Sequence, residues 1–251
     1  MANAPVFRRG SSAGAVDLAR REESDAMFQV KICGVKTAAD ALAAADAGAD
    51  AIGLNFYSRS ARFVDRRAAE EIVAALGARV CKVGVFVNSP LVELLETADA
   101  LKLDLIQLHG DEPPSAMRGL APRPVMKAFR IGPDGLAPLR NWFDEAMRAG
   151  LRPERVLLDA YQPGEFGGTG HTADWSVAAG YARTAGMPPL VLAGGLTAEN
   201  VAAAIEQVRP AAVDTAGGVE SAPGVKDHAR VREFVAAAKS AFSRVSAAKS
   251  C

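Results

Sequence analysis

The sequence predicts an α/β fold: a single (β/α)₈ barrel. Three observations carry that expectation. Eight short apolar, β-branched-rich runs lie along the chain, most of them apolar at nearly every position, and alanine-rich amphipathic stretches separate them. Strands that are apolar throughout are buried on both faces, as parallel strands are. Regular alternation of such strands with helices gives a parallel α/β architecture. Eight strands favour closure over an open doubly wound sheet. No Gly-x-Gly-x-x-Gly follows the first run, which a dinucleotide-binding sheet would need.

The elements follow in order. The first run is Val30–Val35; the amphipathic stretch Thr37–Ala47 follows and closes on Gly48, suited to the residue after a helix end. The second run, Ala51–Phe56, leads to Asp65–Leu76, which opens on an N-cap aspartate and closes on Gly77. After Val80–Val87, Ser89-Pro90 starts a third helix with proline in its first position. The runs Leu105–His109, Pro124–Arg130, Arg155–Ala160, Pro189–Ala193 and Ala211–Thr215 complete the eight, with Thr197–Val208 and Asp227–Ser243 as late helices.

Composition bounds the partners. The 251 residues suffice for one barrel or two small domains. Lys and Arg number 29 and Asp and Glu 29, so nothing favours nucleic acid or an anionic membrane. The longest apolar runs are strand-sized, so no membrane-spanning helix is expected. The three cysteines, Cys33, Cys81 and Cys251, have no metal-ligand spacing, and so sparse and odd a set suggests a reducing compartment and a cytoplasmic location. Residues 1–27 read as a disordered N-terminal extension. They lack the continuous apolar core of a secretory signal, and Glu22, Glu23 and Asp25 do not suit a transit peptide. The barrel is expected over 28–246, with a frayed tail at 247–251.

In a closed barrel the strand C-termini converge on one mouth. Cys33 stands near the end of the first run and Asp159 near the end of the sixth, so a thiol and a carboxyl would face each other as a base and acid pair. The bland alternatives are a buried core cysteine and a loop-organising aspartate. Lys31 is expected to point away from Cys33 by strand alternation. Asp214 reads as structural, holding the Ala216–Gly218 turn. Gly194-Gly195 and Gly217-Gly218 follow the last two runs, where barrels often cradle a phosphate on backbone N–H groups; tight turns are the alternative reading. Arg59 and Arg62 follow the second run. A guanidinium there suits a carboxylate or phosphate, and Arg59 reads as an exposed loop residue. Gln107 and His109 share a strand face, and His109 would either polarise substrate or tie its loop. Gly164–Gly170 reads as a mobile lid. His171 and His228 look like ordinary loop and helix-start residues, and Trp142 and Trp175 like helical packing residues.

Together these residues make the chain resemble the N-(5′-phosphoribosyl)anthranilate isomerase family of tryptophan biosynthesis from about Val30 to about Phe242. The likeness is carried by Lys31-Ile32-Cys33-Gly34, Gly53-Leu54-Asn55-Phe56-Tyr57, Val83-Gly84-Val85-Phe86-Val87-Asn88 and Gln107-Leu108-His109-Gly110-Asp111-Glu112. It continues through Gly167-Gly168-Thr169-Gly170, Asp174-Trp175, Ala193-Gly194-Gly195-Leu196, Glu199-Asn200-Val201, Gly218-Val219-Glu220 and Gly224-Val225-Lys226-Asp227. The resemblance implies a (β/α)₈ isomerase acting on a phosphorylated small molecule without cofactor or metal, a monomer in preference to a homodimer. It implies Cys33 as general base, Asp159 as general acid and Arg62 at the anthranilate moiety. The phosphate cradle would be formed by Gly194, Gly195, Gly217 and Gly218. The family commonly has a serine pair before glycine after the eighth strand. This chain has Ala216-Gly217, so backbone N–H groups must carry more of the phosphate.

Overall fold

The computed structural model describes residues 27–132, 134–159 and 175–248. Eight parallel strands close into a barrel in sequence order: β1 Val30–Cys33, β2 Ala51–Asn55, β3 Cys81–Phe86, β4 Leu105–Leu108, β5 Val125–Arg130, β6 Arg155–Asp159, β7 Leu190–Ala193 and β8 Ala212–Thr215. Register pairs Cys33 with Gly53 across β1 and β2, and Asp159 with both Arg130 and Ala193. The seam between β1 and β8 pairs Lys31 with Asp214.

Strand side chains alternate between two layers. Val30, Ile32, Ile52, Leu54, Val156, Leu158, Leu190, Leu192 and Val213 point outward into one apolar layer shared with the helices. Ala51, Val83, Leu105, Met126, Ala128, Leu157, Val191 and Ala212 point inward and pack on Phe28. The same period of two carries inward Lys31 and Cys33 on β1, Gln107 and His109 along β4, Asp159 on β6 and Asp214 on β8. At the strand N-termini Phe28 plugs the barrel; the Arg155 guanidinium lies 4.4 Å above its ring and donates to its carbonyl.

The outer helices are α1 Ala38–Asp46, α2 Arg66–Leu76, α3 Leu91–Leu101, α4 Ala137–Arg148, α5 Ser176–Ala182, α6 Val201–Val208 and α7 His228–Ala247. Side-chain oxygens of Thr37, Asp65 and Asp227 cap the first, second and last. Between β4 and β5 the connection is a 3₁₀ helix, Pro114–Leu120, entered through Pro113-Pro114. Two extra strands, β9 Glu220–Ala222 and β10 Val225–Lys226, form a small antiparallel pair beyond β8.

Several boundaries differ from expectation. Pro90 is the cap residue of α3, with extended backbone, rather than its first helical residue. Helix α6 begins at Val201, not Thr197, because the Asn200 side chain accepts from the Thr197 N–H and folds that segment into a turn. Trp175 precedes α5 instead of lying in it. Helix α7 runs to Ala247, into the expected tail, since Phe242 and Val245 still bury against the core. Met27, placed in the extension by sequence, packs against the inner layer. Among the described residues no helix is long and apolar enough to cross a membrane.

Candidate active site

Cys33 is the inward residue at the C-terminal end of β1 and is 9% exposed. Gly34 follows because its φ of +72° favours glycine and because a Cβ there would stand 2.5 Å from the Arg62 stem. Across the β1–β2 pair, a Cβ on Gly53 would lie 2.7 Å from Cys33 Sγ and 3.0 Å from Lys31 Nζ. Glycine at 53 therefore opens the space that both atoms border.

Lys31 corrects the sequence expectation. It lies two residues before Cys33, so the period of two places both side chains on the same face. Lys31 is fully buried inside the barrel, with Nζ 2.9 Å from Asp214 Oδ1. Asp214 therefore does not hold the Ala216–Gly218 turn; it neutralises a buried ammonium. That turn is held by Lys226, whose Nζ donates to the Ala216 carbonyl at 3.0 Å. Burial works against the Lys31 charge, but Asp214 and Cys33 outweigh it and raise its pKa. Burial pushes the Cys33 thiol up, and the Lys31 ammonium opposes that rise.

Asp159 ends β6 on the inward face, partly exposed at the mouth. Its backbone carbonyl accepts from the Ile131 N–H at 2.9 Å, which fixes the strand end. Residues 160–174, with the expected lid Gly164–Gly170 and His171, lie outside the described residues.

Arg62 is carried by a loop that Asn55 organises. Asn55 Oδ1 accepts from the Tyr57 N–H, its Nδ2 donates to Ser60 Oγ, and Ser60 Oγ accepts from the Arg62 N–H. The guanidinium then meets Glu220 with two bonds, Nε at 2.8 Å and Nη2 at 2.7 Å. Glu220 is buried and also accepts from Lys226 Nζ at 2.8 Å. With Nε and one Nη2 hydrogen thus taken, Arg62 keeps Nη1 and the second Nη2 hydrogen for an anion, and its Nη2 stands 3.3 Å from where a Gly217 Cβ would be. In the sequence, Glu220 and Lys226 carry no signal beyond their places in Gly218-Val219-Glu220 and Gly224-Val225-Lys226-Asp227. Arg59 is exposed and rests over the Tyr57 ring, as expected of a loop arginine.

The two glycine turns are brought together. Thr215 Oγ1 donates to the Leu196 carbonyl at 2.7 Å, and a Cβ on Gly218 would lie 1.9 Å from that same oxygen. Only glycine fits at 218. Gly194 and Gly195 take φ of +98° and +64°, and Asn200 Nδ2 donates to the Gly195 carbonyl. Gly217–Val219 form one 3₁₀ turn.

Gln107 is buried, and its side-chain amide meets His109 Nδ1 at 2.7 Å. That contact fixes the ring plane of His109 at the mouth. Burial, aided by Lys31, pulls the His109 pKa down to about 4, so the ring is neutral near pH 7. His109 also borders a mouth-side cavity of about 810 Å³ lined by Tyr57, Arg130 and Trp142 among others. Trp142 donates to the Glu112 carbonyl and packs edge-on against Phe129 and Phe143. His228 starts α7 beside Asp40, as expected. Among the described residues, no three or more His, Cys, Asp or Glu side chains group as metal ligands would.

Comparison with known proteins bears on this geometry. The family model for N-(5′-phosphoribosyl)anthranilate (PRA) isomerase matches residues 30–237. The N-(5′-phosphoribosyl)anthranilate isomerase of Geobacter sulfurreducens is 49% identical over 214 residues, covering 85% of this chain and 99% of its own. The crystal structure of phosphoribosyl anthranilate isomerase from Thermotoga maritima is similar with a TM-score of 0.72 and 38% identity, over 85% of this chain and 100% of that one. A second solved isomerase, in complex with reduced 1-(o-carboxyphenylamino)-1-deoxyribulose 5-phosphate, gives a TM-score of 0.70 at 36% identity, with coverage of 85% and 100%.

Proposed function

The chain belongs to the N-(5′-phosphoribosyl)anthranilate isomerase family, and from that premise we propose which of its residues perform the family's reaction. The reaction is an intramolecular aldose–ketose (Amadori) isomerisation in tryptophan biosynthesis. It converts N-(5-phosphoribosyl)anthranilate to 1-(2-carboxyphenylamino)-1-deoxyribulose 5-phosphate.

The observation that carries the assignment is the inward placement of Cys33 and Asp159 at the C-terminal ends of β1 and β6 of one closed barrel. Asp159, protonated, donates to the ribose ring oxygen. The bond from C1′ to that oxygen breaks, and the nitrogen lone pair forms a protonated Schiff base. Cys33, as thiolate, removes the C2′ proton, and the released electron pair gives the enolamine. Transfer of the C2′ hydroxyl proton to C1′ completes the ketone, and the proton taken by Cys33 returns through solvent to Asp159, so the isomerisation has no net proton change and both groups are restored. Each positioned group contributes about 10²–10⁴-fold.

Binding divides between two ends of the substrate. The phosphate rests on backbone N–H groups of Gly194, Gly195, Gly217 and Gly218, and this orients the reacting carbons. Arg62, aligned by Glu220 through Nε and Nη2, takes the anthranilate carboxylate with Nη1 and the remaining Nη2 hydrogen. Gln107 and the neutral His109 line the same mouth, with the His109 ring as a hydrogen-bonding partner of the opened sugar. The chain acts as a monomer in the cytoplasm. Among the described residues the large exposed apolar side chains are Phe63, Leu91, Val92, Met147 and Val225, and apart from the neighbours Leu91 and Val92 they lie on separate elements, which supports the monomer. A fluorescence assay of phosphoribosylanthranilate turnover tests the activity. A fully folded protein that leaves the substrate unchanged would contradict it.

A further inference from the structure

Lys31 has no part in the reaction as described, yet its ammonium is fully buried inside the barrel two residues from Cys33. Its side chain is fully buried, and a buried ion pair is weak ground for stability, since apolar side chains of similar volume serve as well or better. Its location is more telling. Lys31 Nζ and Cys33 Sγ both border the space left by the missing Gly53 side chain, and Asp214 takes only one of the ammonium's three donors. We propose that Lys31, anchored by Asp214, is a positioning residue for the general base: its buried ammonium is the fixed counter-charge of the Cys33 thiolate. The proposal rests on the assignment of Cys33 as base.

The charged groups facing Cys33 come from four elements. Lys31 stands on its own strand, Asp214 on β8, Lys226 on β10 and Arg62 on the loop after β2. Arg62 and Lys226 are both tied to Glu220, whose charge offsets theirs. Lys31 is the cation that most strongly favours the thiolate, against burial and the more weakly opposing Asp214.

The test is the pH midpoint of Cys33 alkylation by iodoacetamide, in a background carrying Cys81→Ser and Cys251→Ser. Lys31→Met should raise that midpoint by about one unit or more, a tenfold fall in thiolate at fixed pH. Because Lys31→Met leaves Asp214 buried without its partner, the neutral pair Lys31→Met/Asp214→Asn is measured beside it. It should show a raised midpoint as well, with the rise of kcat/KM with pH displaced by the same amount. In the unsubstituted chain labelled with ε-¹³C lysine, the Lys31 resonance should inflect where Cys33 ionises, and Cys33→Ser should abolish that inflection. Unmoved midpoints in folded variants, or no inflection in the unsubstituted chain, would overturn the role of Lys31. Normal turnover by Cys33→Ser would instead remove the base assignment itself, and with it the purpose proposed here.

Discussion

The two ends of the barrel interior are built from the same strands with the same alternation, and they differ in chemistry. At the strand N-termini the inward residues are apolar and seal around Phe28, with Arg155 stacked on its ring. Further along β1, β4, β6 and β8, the inward positions hold Cys33, Gln107, Asp159 and Asp214. One end excludes water by packing; the other gathers groups that ionise, donate or accept. Barrels commonly divide this way, since the strand C-termini carry the loops that vary. Here the division also shows how polar groups are tolerated inside: Lys31 meets Asp214, and Glu220 meets Arg62 and Lys226.

That contrast can be broken by substitution. At the mouth, Asp159→Asn preserves shape and removes the proton donor. It should lower kcat by about 10²–10⁴-fold with little change in KM, as for an interaction made in the transition state. A rise in KM alone would make Asp159 a binding residue. At the sealed end, Leu157→Ala should cost about 2–5 kcal/mol in denaturant unfolding and leave kcat near normal at temperatures where the protein is folded. A loss of kcat as large as that of Asp159→Asn would erase the division.

Smaller effects sharpen the comparison. Arg62→Ala should weaken substrate binding by roughly 10–100-fold, the scale of a charged hydrogen bond. Arg62→Lys should restore only part, because a point charge cannot serve Glu220 and an anion with one planar fork. Equal KM in all three proteins would return Arg62 to the loop. His109 gives a pH signature. Its folded pKa of about 4 lies below the ordinary value of 6.5, so the unfolded chain takes up the proton first as pH falls. Stability from this group is therefore complete above about pH 6.5 and declines toward pH 4, by about 1–2 kcal/mol once its partial exposure is discounted. His109→Gln should flatten that decline in unfolding curves taken across the window; an unaltered slope would show that the ring is not held neutral.

Much of this arrangement was legible in the sequence because it is local. Apolar runs marked all eight strands, and the boundaries shifted by one or two residues where a run continued beyond its ladder. Asp65 was readable as a cap from its own chemistry and position, whereas Thr37 and Asp227 read as the first residues of helical stretches that they in fact cap. Cys33 and Asp159 stood out because each stands near the end of an apolar run. Lys31 was legible in principle: residues 31 and 33 share a strand face, and a lysine amid Val30 and Ile32 breaks the pattern. Its partner was not, since Asp214 lies 183 residues away and is brought beside it only by closure between β1 and β8. Glu220 was hidden for the same reason, 158 residues from Arg62. The delayed start of α6 came from Asn200 competing for the Thr197 N–H, a side-chain choice that helical periodicity does not reveal.

The central claim is that the ends of β1 and β6 perform different proton transfers on one sugar. The most direct measurement is the kinetic isotope effect on kcat with substrate deuterated at C2′, compared between Cys33→Ser and Asp159→Asn. With the base impaired, removal of the C2′ proton limits turnover, so Cys33→Ser should show a full primary isotope effect on its residual rate. With the acid impaired, ring opening limits turnover, so Asp159→Asn should show an effect close to unity. Equal effects in the two variants, or the reverse order, would contradict the assignment.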